Sequence, residues 1–430
     1  MTLYLIALFG TIVVIWVLQS HFQKKRDIKN IQRLRATIAE GLTEPASLHP
    51  VIDTDLCIGS GACVSACPEG DVLGLIKGKS ALINPTHCIG HGACQAACPV
   101  NAITLVFGTE RRGVDIPYVR PTFETNVPGI FIAGELGGMG LIRNAVEQGR
   151  QAIEAIRKLK PNGTPLDVVI VGAGPAGFSA SLASLQHKLR YVTIEQETLG
   201  GRVAHFPRGK IVMTQPAKLP IVGPMKFREI GKDSLLDFMR DVEKKTGIRI
   251  CYNERMEDIQ RTSGGFVVKS SRGRYETRSV LLAVGRGGTP RKLEVAGEDL
   301  PKVVYRLIDS EQYRHRRVLV VGGGDAALEA ACSIAGEPGT TVALSYRGEA
   351  FSRAKDKNRQ MVKEAEARGR LRVLLNSNVT EIQAEKAVLE RQGERIELPN
   401  DAVLVCAGGV LPTEFLKKIG VQVETKFGTK

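Results

Sequence analysis

The sequence predicts an α/β protein with two dinucleotide-binding folds, preceded by a small α+β domain and one N-terminal apolar helix. Three observations predict it. Two glycine-rich turns, each entered from an apolar, β-branched run, lie about 150 residues apart. Six of the nine cysteines fall into two strings of the same spacing. Residues 3–18 (LYLIALFGTIVVIWVL) are almost wholly apolar.

At 430 residues the chain has room for two to four domains. Its net charge of +14 points first to nucleic acid, but no recognition motif accompanies it, so nucleic-acid binding is excluded as an expectation. Part of the excess follows the apolar run, in Lys24, Lys25, Arg26, Lys29, Arg33 and Arg35. Basic residues there suit an anionic membrane surface. Because the charge comes after the apolar core and no small-residue cleavage site is visible, the run reads as an uncleaved anchor over 1–20 rather than a signal peptide. Trp16 sits where an interfacial aromatic would. The positive-inside rule then makes the chain a single-pass protein of the cell membrane with its body in the cytoplasm. Residues 21–50 form a basic helical or flexible linker ended by Pro45 and Pro50.

Cys57, Cys63 and Cys67 recur 31 residues later as Cys88, Cys94 and Cys98, in CIGSGACVSACP and CIGHGACQAACP. Such clustering argues for metal ligation in a reducing compartment rather than a disulfide framework. The spacing fails the four-ligand C-x2–4-C pairs of structural zinc. Each string is similar to the bacterial ferredoxin pattern C-x2-C-x2-C-x3-C-P, which implies a two-cluster domain over 51–106. That resemblance implies a crossed ligand set, with Cys57, Cys63 and Cys98 at one cluster and Cys88, Cys94 and Cys67 at the other. The second cysteine of the pattern is replaced by Ser60 and His91. Each fourth iron is therefore bound by one of these residues, bound by an exogenous ligand, or absent. The clusters are accordingly [4Fe-4S] or [3Fe-4S].

The first dinucleotide turn is VVIVGAGPAG at 168–177, with Gly172, Gly174 and Gly177 as its glycines and Glu195 at the end of the next strand. The glycines permit a tight turn and close approach to a pyrophosphate at a helix N-terminus; the glutamate meets a ribose. Gly200 and Gly201 follow as a loop near the same ligand. The second turn, VLVVGGGDAALEAA from Val318, is the GxGxxA version with Gly322, Gly324 and Ala327. Its next strand ends without a carboxylate, and Arg347 and Arg353 stand close by, which favours the 2′-phosphate of NADPH over NADH. NADH remains the alternative if those arginines are only surface charge.

Two such folds, with AVGRGGTPR at 283–291 and VCAGGVLPTEFL at 405–416, resemble the pyridine-nucleotide-linked flavoprotein reductases, in particular the thioredoxin reductase-like branch. Residues 207–224 are similar to bacillithiol-disulfide-reductase-like members. The resemblance covers residues 107–430 and implies FAD in the first fold and NAD(P)H in the second, with Gly285 at the FAD site. The family's closing segment, T-x-x-P-G-(I/V)-(F/Y)-x-x-G-D, occurs here before the first fold, as TNVPGIFIAGE at 125–135. Gly134 and Glu135 then face the flavin, with glutamate in place of the usual aspartate. VFGTE at 106–110 and KFGTK at 426–430 match across the joint. The reading is a circularly permuted reductase: 107–157 closes the FAD domain, 166–289 with 408–430 form it, and 290–407 bind NAD(P)H. The closing segment serves its own chain or a dimer mate, so a homodimer is compatible with the sequence.

Thioredoxin reductases relay electrons through a C-x-x-C dithiol, and the corresponding stretch from Val303 contains no cysteine. Dithiol–disulfide chemistry is therefore disfavoured, and since a nicotinamide–flavin hydride step requires no side-chain acid or base, no catalytic residue is assigned. The expected function is electron transfer between NAD(P)H, FAD and the clusters, to or from a ferredoxin-like protein, a quinone or another membrane partner. Two alternatives stand beside it: an NADPH-dependent reductase of low-molecular-weight disulfides without a dithiol, and a flavin-binding redox sensor with slow turnover.

Overall fold

The computed structural model describes the chain except residues 1, 46, 47, 89, 111, 112, 139, 207–210, 214–216, 226, 228, 353, 429 and 430. At 2–8, 11, 12 and 289 it describes the backbone alone. The chain forms two compact units. One comprises 1–112, 349–359 and 427–430; the other comprises 113–348 and 360–426.

The first unit opens with a helix of 38 residues, Thr2–Ala39. The expected spacer is the second half of this helix, and it packs on the hairpin Leu73–Ile76/Lys79–Leu82. Asn30 Nδ2 donates to Leu75 O (2.8 Å), Thr37 Oγ1 donates to Ile83 O (3.1 Å), and Arg33 pairs with Asp71 (2.6 Å). The first half carries exposed Phe9 and exposed apolar residues from 13 to 18 before Gln19, Ser20 and His21. Among the described residues no helix is long and apolar enough to cross a membrane. This corrects the expected transmembrane anchor, its cell-membrane location and its membrane partner. The described apolar stretch falls short of the roughly 20 residues a span needs. The side chains at 2–8, 11 and 12, on which that expectation also rested, lie outside the described residues.

The cysteine module is built as two matching halves. Each motif ends in a short helix, Ala62–Ala66 or Ala93–Ala96, entered from a glycine in the left-handed region. The strand after the first motif, Leu73–Ile76, pairs antiparallel with Lys79–Leu82; the strand after the second, Ile103–Val106, pairs antiparallel with His49–Ile52. Val72, Leu73 and Ile103 are buried with Cys63, Cys88 and Cys94 in one apolar core.

In the second unit, Leu166–Val171 forms the centre of a seven-stranded sheet, flanked by Tyr191–Ile194 and Arg274–Leu282. Its β-branched, fully buried run suits a parallel strand covered on both faces. Ile130–Ile132 joins the same sheet in parallel with 280–282, so the segment expected to close the FAD domain is built into the sheet of its own chain. Helix Ile142–Ile156 buries Ala145, Val146, Gly149, Ala152, Ile153 and Ile156, the i, i+4, i+7, i+8 face of an amphipathic helix, and packs on helix Pro175–Gln186. A separate, wholly parallel five-stranded sheet carries the second turn, with Arg317–Val321 at its centre between Thr341–Tyr346 and Ala402–Val405. Strand pair Thr289–Pro290/Gly409–Val410 links the two sheets' domains.

Candidate functional site

The cysteine motifs enclose two cavities. The first is lined by Cys57, Cys63 and Cys98, together with Ser60 and Ser80. The second is lined by Cys67, Cys88 and Cys94, together with His91 and Glu69. Each cavity therefore takes two cysteines from one motif and the last cysteine of the other. Gly59 (φ 70°) and Gly61 (φ 72°), matched by Gly90 (φ 80°) and Gly92 (φ 76°), turn the loops around the cavities. A Cβ on Gly59 would stand 2.0 Å from Gly78 O, so this position admits no side chain.

The donor set fits iron–sulfur clusters. Among the described residues no three His, Cys, Asp or Glu side chains converge as a single-ion site requires; the six thiols line cavities instead. Backbone N–H groups point at the sulfurs: Ser80 N lies 3.4 Å from Cys57 Sγ, and Ala102 N lies 3.2 Å from Cys98 Sγ. Burial pushes the Cys88 thiol up to about 11 and raises Cys67 and Cys94. These thiols give up their protons when they ligate. The two replaced positions differ. Ser60 accepts from Ala62 N (3.4 Å) at the exposed rim, whereas His91 is half-buried with Nε2 3.6 Å from Glu69 Oε1. Ser80 and Glu69 were not foreseen; Glu69 follows Cys67 by two residues, whereas Ser80 reaches its cavity only through the fold.

At the first dinucleotide turn, Gly172 has φ 102°, and a Cβ on Gly177 would stand 1.8 Å from Gly172 O. Gly174 caps helix Pro175–Gln186, whose proline at its first turn lacks an N–H that would go unpaired there. Glu195 is 5% exposed; its Oε2 accepts from Ala173 N (2.7 Å) and its Oε1 from Glu197 N (2.9 Å). The carboxylate thus braces the turn. Gly200 (φ 95°) and Gly201 (φ 53°) start the turn Gly201–His205, and a Cβ on Gly201 would touch Gly174 Cα at 3.2 Å.

Gly134 (φ 85°) donates its N–H to Gln148 Oε1 (2.8 Å), and Glu135 stands beside Gly285 and 3.9 Å from Arg202 Nη1. Arg286 is held against Asp115 O (2.9 Å), and burial lowers the pKa of its guanidinium. The structure therefore gathers every glycine and both glutamates expected at the FAD site on the first sheet and its flanking turns. Arg202 and Arg286 were missed, although Arg286 lies inside the quoted 283–291 string.

At the second turn, Gly322 (φ 146°) lies where a Cβ would stand 2.4 Å from Cys406 O and 3.1 Å from the buried Ala327 Cβ. Gly324 opens helix Asp325–Ala335 with free space around it. Arg347 follows strand Thr341–Tyr346 and is exposed, with no hydrogen bond or ion pair among the described residues. Arg353 lies outside the described residues. The three remaining cysteines stay apart: burial pushes Cys332 up to about 11 and Cys406 up to about 12, and Cys251 is raised for the same reason.

This is a flavoreductase joined to an iron–sulfur module. The chain belongs to the pyridine nucleotide-disulphide oxidoreductase family, which matches residues 169–428, and it is an FAD-dependent NAD(P)H oxidoreductase. A 4Fe-4S dicluster domain matches residues 49–99. The chain is 29% identical over 270 residues to bacilliredoxin reductase Bdr of Bacillus subtilis, covering 60% of this chain and 82% of that one. It is 27% identical over 268 residues to a ferredoxin–NADP reductase of Ignicoccus hospitalis, covering 60% and 83%. Among solved structures, bacillithiol disulfide reductase Bdr (YpdA) of Bacillus cereus matches with a TM-score of 0.53 and 26% identity, covering 59% and 81%.

Proposed function

We propose that this chain passes electrons between NAD(P)H, FAD and two iron–sulfur clusters, to or from a partner protein of ferredoxin type. One observation carries the reading: a chain with both dinucleotide turns also encloses two cavities, each lined by three thiols drawn from both motifs. Bound FAD would supply two-electron exchange with a nicotinamide and one-electron exchange with the clusters. The chain's own work is to bind and orient. Gly172, Gly174 and Gly177 admit the FAD pyrophosphate, Glu195 receives its ribose hydroxyls, and Gly322, Gly324 and Ala327 admit the nicotinamide dinucleotide. Unpaired Arg347 favours NADPH over NADH, because a guanidinium at the end of this strand meets a 2′-phosphate.

The reductase part reads as permuted, with 107–157 closing the FAD domain. Gly428 N donates to Phe107 O (2.9 Å), so these two residues of the matching strings lie side by side, as at a former junction. Strand Val423–Lys426 pairs with Val114–Pro117 next to it.

The deciding experiment is an anaerobic NADPH titration that follows flavin absorbance and cluster EPR together. Flavin bleaching followed by appearance of reduced-cluster signals is expected. Bleached flavin with clusters left oxidised, even with a mediator present, defeats the reading. A second reading, reduction of a low-molecular-weight disulfide, is favoured by the likeness to bacilliredoxin reductase Bdr. Sustained NADPH oxidation with such a disulfide, undiminished in a chain stripped of iron, would select it.

A further inference from the structure

The two cavities are related by the repeat, but their second walls differ. Leu75 and Leu105 hold matching places: each puts its Cδ1 against the left-handed glycine of its motif, 3.5 Å from a Cβ built on Gly61 and 3.2 Å from one built on Gly92. The strand partner of Leu75 is Ser80, and the strand partner of Leu105 is Pro50. Ser80 lines the first cavity and Pro50 the second. Ser80 thus offers two donors, its N–H 3.4 Å from Cys57 Sγ and its hydroxyl 3.3 Å from Cys63 Sγ. Pro50 has neither an N–H nor a hydroxyl.

We propose that Ser80 is a positioning residue that raises the reduction potential of the first cavity's cluster and so makes the two clusters unequal electron carriers. The inference rests on the proposed presence of those clusters. Ser80 is 4% exposed, and a ligating cysteine has lost its proton, so Cys63 Sγ can only accept. The hydroxyl must then donate to that sulfur. A hydrogen bond to a ligand sulfur withdraws negative charge and favours the reduced, more negative cluster. The symmetry-related position has nothing to give.

The test is redox potentiometry followed by EPR on the holoprotein, with iron content measured alongside, for wild type, Ser80→Ala and Ser80→Thr. Ser80→Ala keeps the backbone N–H and removes the hydroxyl. One cluster is expected to become about tenfold harder to reduce, close to 59 mV for one electron, while the other keeps its midpoint and Ser80→Thr restores the first. Loss of one cluster from Ser80→Ala with retention and a wild-type midpoint in Ser80→Thr also supports a role for the hydroxyl. Unchanged midpoints, equal shifts of both, or the same cluster loss in both variants overturn the inference. A wild-type chain whose iron gives no cluster signal would instead overturn the proposed function, and this inference with it.

Discussion

Gly149 lies so close to Ala176 that a Cβ on the glycine would stand 2.0 Å from the Ala176 carbonyl oxygen. The contact joins helix Ile142–Ile156, which precedes the first dinucleotide turn in sequence, to helix Pro175–Gln186, which leaves it. Gly149→Ala is expected to push the two helices apart at a cost of about 1–3 kcal/mol, because the obstructing atom is backbone and cannot rotate away. Purified variant should carry less flavin per chain and unfold earlier in urea. Full flavin content with wild-type stability would show that this packing does not hold the site.

The crossing of the motifs can be separated by single substitutions. Cys98→Ala should remove the cluster shared with Cys57 and Cys63 and leave the one held by Cys67, Cys88 and Cys94. Cys67→Ala should do the reverse. Iron content falling by about half, with a different EPR component surviving in each variant, is the expected result. Both variants losing the same component would contradict the arrangement.

Arg347 provides a test of nucleotide choice. Losing a charge-assisted contact to the 2′-phosphate is worth about 1.5–3 kcal/mol, so Arg347→Gln should raise the KM for NADPH by roughly ten- to a hundredfold. The KM for NADH should hardly move. Parallel loss with both nucleotides would assign Arg347 a structural role.

Asp401 accepts from Arg317 through its backbone N–H (2.8 Å) and guanidinium (2.6 Å), which hold its carboxyl at about 2 instead of 3.8. A depressed folded pKa stabilises above the unfolded value and is lost as pH falls from 3.8 through about 2. The pair is largely exposed, so water screens it and its contribution is modest. Asp401→Asn should therefore show a small loss in urea stability, constant from neutral pH down to about pH 5 and shrinking by about pH 3. A loss that grows on acidification would reverse the assignment.

Glu195 braces the first turn through Ala173 N and Glu197 N. Glu195→Ala leaves the buried Ala173 N–H unpaired, at about 1–3 kcal/mol, and frees the part-buried Glu197 N–H as well; it should release FAD during purification. Retained flavin at wild-type stability would argue against the brace.

Much of the site was legible because its requirements are local. Gly172 and Gly322 must adopt φ values of 102° and 146°, and Gly177 leaves no room for a Cβ; such constraints appear directly as residue types at fixed spacing. The N-terminal helix was misjudged for a related reason. Apolar composition was visible, but the length of the helix and its attachment through Asn30, Arg33 and Thr37 to the hairpin were not.

The sequence by itself determined the two dinucleotide turns, the paired cysteine motifs and the absence of a C-x-x-C dithiol, since each is a matter of neighbouring residues. Only the tertiary structure decided that Ile130 pairs with Val280 across 150 positions, and that Gly428 meets Phe107. It alone set Ser80 against Cys57 and Cys63 while leaving proline at the matching place. Strand pairing and cavity walls join residues remote in sequence. Their register is chosen by burial of whole faces, which no local pattern records.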